Sequence, residues 1–110
     1  MDNIGIALSR RSIYPHIEEF FEDVLNEVDH AIEKRPSTNA TQLSLPGGIE
    51  IMLRELREAF DEIDAVVPNT RKVFVRDVDN LKRELCQVAG VAMMLYCNLE
   101  NTVEPRPDVL

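Results

Sequence analysis

The sequence has no tryptophan, four glycines, two cysteines and two histidines in 110 residues, and its 20 acids outnumber its 12 bases. The resulting net charge of −8 argues against a protein that grips nucleic acid by its phosphates, because that requires a basic surface to displace counterions. Cys86 and Cys97 fall in one helical segment, about 16 Å apart along its axis. They cannot bridge within one chain and read as reduced thiols. His16 and His30, about 21 Å apart on another helix, cannot share a metal ion. No Cys-His ligand spacing, no glycine-rich phosphate loop and no Ser-His-Asp order is present, which leaves structural zinc and nucleophilic catalysis without support. The longest apolar run, residues 88–97, is about half of a bilayer span. Residues 1–12 have no basic stretch ahead of a long apolar one, so the expectation is a soluble, cytoplasmic protein.

What is present is enough apolar material for a core. Hydrophobic residues make up 45% of the chain, and a single domain of this size buries roughly two thirds of its unfolded surface. The pattern predicts a flexible arm over residues 1–12, one all-α domain over residues 13–100 and an extended tail over residues 101–110. In residues 14–34, Ile17, Phe20, Phe21, Val24, Leu25, Val28, Ala31 and Ile32 recur at three and four, which predicts an amphipathic helix with an acidic outer face. Residues 35–48, RPSTNATQLSLPGG, read as a long loop of the kind that often carries function. Residues 49–66 predict a second helix ended by Pro68. A third begins either at Thr70 or at Asp77 and runs through Leu81, Leu85, Val88, Val91, Leu95 and Leu99. Between residues 88 and 97 that helix is apolar on every side and must be covered all round. Three helices of one chain do this poorly, so the expected architecture is a bundle of three to four helices completed by dimerisation.

Carboxylates are the candidate chemistry. At 100° per residue, Glu55, Glu58 and Glu62 line one border of the second helix's apolar arc, which is centred between Leu56 and Phe60. Read alone, they are a solvated edge paired with Arg54 or Arg57. Glu84 is different: it falls inside the apolar arc of the third helix, where an ionised carboxylate costs several kcal/mol unless a cation or a donor compensates it. Gln87 lies beside it. If the two helices pack antiparallel, Glu55, Glu58 and Glu84 converge, and a hard divalent cation, magnesium or manganese, would relieve their repulsion.

The segments LRELREAF (residues 53–60) and RELCQVAGVAMML (residues 83–95) resemble the MazG-like all-alpha nucleoside triphosphate pyrophosphohydrolases, above all short phage and bacterial members. The resemblance spans roughly residues 49–99. In the family, E-x-x-E on one helix and E-x-x-D on the next hold magnesium on the triphosphate and help to activate water, releasing a nucleoside monophosphate and pyrophosphate. Glu55 and Glu58 match the first motif, Glu84 matches the leading Glu of the second, and Gln87 stands where the family has Asp. The resemblance implies Glu55, Glu58 and Glu84 as catalytic metal ligands, with Gln87 as a neutral fourth, in a homodimer or homotetramer. Gln87 removes one charge and with it metal affinity and basicity toward water. Glu62, one turn beyond Glu58, is a candidate replacement carboxylate. Lys34, Arg35, Lys82 and Arg83 are candidate partners for the phosphates, and residues 37–42 for the base. Two further readings stand beside the enzyme. One is a protein that sequesters a nucleotide without turnover, and the other is a small acidic inhibitor whose first helix meets a basic protein partner.

Overall fold

The computed structural model of the chain describes residues 14–34 and 43–108. Among these the order is α1 (Ile17–Lys34), α2 (Leu45–Asp61), β1 (Ile63–Val66), β2 (Val73–Val75), α3 (Val78–Cys97) and α4 (Leu99–Thr102). The arm at residues 1–12, Arg35 and residues 37–42 lie outside the described residues.

Helix α1 takes the expected place, with Glu18 and Glu19 in its first turn and Lys34 in its last, each matching the end of the macrodipole it meets. Helix α2 starts four residues earlier than the periodicity predicts. Ser44 caps it, its Oγ accepting from Gly47 N at 3.1 Å. Pro46, Gly47 and Gly48 therefore belong to its first turn and not to the loop assigned from their composition; proline there loses no hydrogen bond.

The helix also ends sooner, at Asp61. Residues 63–66, predicted as its last turn, are a strand that pairs antiparallel with Val73–Val75. The β-branched run favours an extended chain, and Pro68 with Asn69, whose φ is +63°, turns it back. Thr70 knots the turn, its Oγ1 donating to Val67 O at 2.9 Å and accepting from Lys72 N at 3.1 Å. Of the two expected starts for the third helix, Asp77 is the real one, its carboxylate accepting from Asn80 N at 3.0 Å. A one-turn helix, α4, interrupts the tail before residues 103–107 continue without regular structure. The fold is thus a helical bundle with a small hairpin set between two of its helices.

Helix α3 is the spine, with α1 packed on one flank and α2 on another. Both contacts run through small residues. A Cβ on Gly48 would sit 2.5 Å from a methyl of Leu95, and one on Gly90 would sit 3.3 Å from a methyl of Val28. The buried apolar side chains, Val24, Ala59, Cys86, Val91 and Leu95, lie along these two lines.

The apolar arc of α2 does not face α3. Gly48 meets Leu95 of α3 and Ala59 is buried, while the bulky arc of Ile49, Leu53, Leu56 and Phe60 is left outside, with Leu53 61% and Phe60 72% exposed. On α3, Val78, Leu85 and Ala92, spaced by sevens, and Tyr96 (79% exposed) form a second uncovered stripe. The all-round apolar character of α3 is therefore not matched by cover from the described residues. No described helix is long and apolar enough to cross a membrane.

Candidate metal centre and adjoining groove

Gly48 lies against Leu95, and Asn80 meets Glu62. Helices α2 and α3 are therefore antiparallel, which sets the middle of α2 beside the first half of α3. Glu55, Glu58 and Glu84 meet there, each offering an oxygen within 4.8 Å of the others. Their surroundings differ. Glu84 is buried at 8% exposure, Glu55 is half-buried and Glu58 is exposed. The carboxyl of Glu84 is pushed up to about 8, chiefly by a hydrogen bond shared with Glu55, then by burial, then by the charges of Glu55 and Glu58. Without a cation, the cluster holds a proton.

Gln87 is part of the same constellation. With its amide nitrogen turned to the acids it donates to Glu55 Oε2 at 2.8 Å and to Glu84 Oε2 at 3.2 Å; the opposite orientation would face a carbonyl oxygen to acceptors alone. Arg54 adds a guanidinium 3.8 Å from Glu55 Oε1.

Glu62 does not join them. As the residue closing α2 it turns toward the first turn of α3, where its Oε1 accepts from Asn80 Nδ2 at 2.8 Å. Its Oε2 is buried without a hydrogen-bond partner among the described residues.

Beside the cluster a groove of about 440 Å³ opens between α1 and α2. Gln87, Gly90, Val91 and Met94 of α3 form its floor. Helix α1 contributes Glu27, His30 and Lys34 to one wall, and α2 contributes Ile51, Arg54 and Glu55 to the other. Compared with models of protein families, with curated proteins and with solved structures, the chain matches none.

Of the cations singled out in the sequence, Lys34 lines this groove. Lys82 lines a separate depression with Asp23, Leu85 and Cys86, and Arg83 is exposed on α3 away from both. Burial pushes the Cys86 thiol up, helped by the charges of Asp23 and Glu27, which makes it a poor nucleophile. Sequence reasoning missed His30, Glu27 and Arg54 as groove residues. Arg54 was legible as a neighbour of Glu55. His30 and Glu27 were not, since their place depends on how α1 crosses α3.

The arrangement suits a hard divalent cation. Three carboxylates of unequal burial supply oxygen donors from two rigid helices, and a buried acid that must otherwise hold a proton is one that a cation would ionise. A carboxamide beside them adds an oxygen if it turns over. The groove adds two permanent cations and a mostly apolar floor.

Proposed function

We propose that the protein is a magnesium-dependent nucleoside triphosphate pyrophosphohydrolase of the MazG-like type, working as a homodimer. The observation that supports this best is the convergence of Glu55, Glu58 and Glu84 beside a groove of nucleotide size that Glu55 itself lines. Magnesium, or manganese, held by these three carboxylates would neutralise triphosphate oxygens and lower the pKa of a bound water.

The chain's own groups take the remaining roles. Lys34 and Arg54 flank the groove with positive charge for the phosphates. Val91, Met94 and Ile51 give the base an apolar bed. Glu58, the most exposed of the three and without an ion pair among the described residues, would hold the metal by one carboxylate oxygen and offer the other to a proton of the attacking water. Attack at the α-phosphorus yields a monophosphate and pyrophosphate.

The uncovered arcs of α2 and α3 support the dimer. Leu53, Leu56 and Phe60 beside Leu85 and Tyr96 make a surface too apolar for a monomer, and stacking two such pairs gives a four-helix core.

The test is incubation with magnesium and a panel of nucleoside triphosphates, followed by chromatography of free and protein-bound nucleotides after ultrafiltration. Monophosphate and pyrophosphate in equal amounts, lost in Glu55→Gln, support the enzyme. Depletion of one intact nucleotide from the filtrate supports a sequestering protein, a reading favoured by the two hydrogen bonds through which Gln87 holds the acids together. An unchanged panel leaves the acidic α1 as a surface for a basic protein partner.

A further inference from the structure

The hairpin is the least explained part of the fold. Two short strands alone are marginal in water, yet this pair is held out with nearly every residue exposed. Its register places Ile63 opposite Val75 and Val66 opposite Val73. Cross-strand partners share a face, so one face of the hairpin is Ile63, Val66, Val73 and Val75. Charge differs sharply from the rest of the chain. Arg71 and Lys72 stand at the turn, where neither has an ion pair among the described residues. Arg76 braces the base, its Nη2 3.2 Å from Asp61 O and 3.5 Å from Asp64 Oδ1. The hydrogen bonds of Thr70 hold the turn in shape, so the basic tip is presented on a preformed arm.

The complementary surface is on α1. Phe21, Leu25 and Ile32 are exposed and fall within 40° of one another around the helix. Glu22, Asp29 and Glu33 form an acidic row directly beside them, 40–120° further round. An apolar stripe edged by acids thus matches an apolar face tipped by bases. From Phe21 to Ile32 the stripe is about 16 Å long, and the arm from Ile63 to Val67 reaches about 13 Å, enough to cover most of it.

We infer that the hairpin is a clasp: in a dimer each protomer lays the Ile63–Val66–Val73 face on Phe21, Leu25 and Ile32 of α1 in the second copy, with Arg71 and Lys72 on its Glu22, Asp29 and Glu33. Two-fold symmetry makes two such clasps per dimer. The inference rests on self-association and is independent of catalysis.

The experiment is sedimentation velocity on the full chain over a concentration series, with circular dichroism on each variant to confirm its helices. R71E/K72E is expected to weaken the wild-type dimer about tenfold or more at low salt, with the loss shrinking as salt is raised. The α1 variant E22K/D29K/E33K weakens it likewise. An equimolar mixture of the two variants recovers dimer, because reversed tips then meet reversed helices. Folded variants that dimerise like wild type overturn the clasp while leaving the dimer intact, as does a mixture that recovers nothing, the result expected if hairpins pair edge to edge. A wild-type chain monomeric throughout overturns the dimer and the clasp together.

Discussion

Gln87 donates to Glu55 at 2.8 Å and to Glu84 at 3.2 Å, so a neutral side chain on α3 ties a carboxylate of α2 to one on its own helix. It replaces part of what a cation would do. Exchanging the amide for a carboxylate removes those two bonds and adds a fourth negative charge. Gln87→Glu is therefore expected to lower the stability of the metal-free protein by about 1–3 kcal/mol. It should also tighten manganese binding about tenfold, since an added charged ligand raises affinity for a hard cation. Thermal melts with and without manganese, beside calorimetric titration, read both effects. A variant that melts higher without metal would count against the tie.

The proton held by Glu84 gives stability a pH dependence of unusual sign for a carboxyl. Its value in the folded chain, about 8, lies above the ordinary 4.5. The folded state therefore binds more proton than the unfolded state between those limits, and stability falls as pH rises through that window. The melting temperature of metal-free protein is expected to drop by roughly 5–10 °C from pH 5 to pH 9. Magnesium should flatten the slope and Glu84→Gln should abolish it. A slope that survives the substitution assigns the titration to another group.

Glycine at 48 sets the distance between the two acid-bearing helices. A methyl there meets three carbons of Leu95 at 2.5 to 2.8 Å, and Leu95 is buried and cannot swing clear. Gly48→Ala is expected to cost about 1–3 kcal/mol and to weaken manganese binding by separating Glu55 from Glu84. Gly90→Ala, whose methyl meets Val28 at 3.3 Å, should cost less and leave metal binding nearly unchanged. Equal effects would mean that the approach of α2 does not govern the site.

Leu56→Asp introduces a charge into the uncovered arc of α2 without touching the chain's own buried side chains. The expected outcome is a folded protein shifted to monomer, seen by light scattering coupled to size exclusion. A dimer of unchanged affinity would place the interface elsewhere.

The helices and their approximate order were legible because periodicity survives in α1 and α3, and the convergence of Glu55, Glu58 and Glu84 followed from one geometric condition, antiparallel packing. Three features were not. The strand at Ile63–Val66 continues the apolar spacing of α2, and a short apolar run fits a helix turn as well as a strand. The facing of α2 is not encoded in its apolar arc, since Leu53 and Phe60 are exposed while Gly48 lets Leu95 of α3 approach and Ala59 is buried. The groove residues His30 and Glu27 depend on a crossing between helices far apart in sequence, which no local pattern encodes.

The antiparallel pairing of α2 and α3 has a bearing on how the molecule assembles. All three clustered acids lie between Leu45 and Cys97, on neighbouring helices joined directly through the hairpin. Loops of that length close quickly, and contacts local in sequence form early. The acid cluster can therefore be complete in a chain whose α1 has yet to dock, before the groove has its second wall.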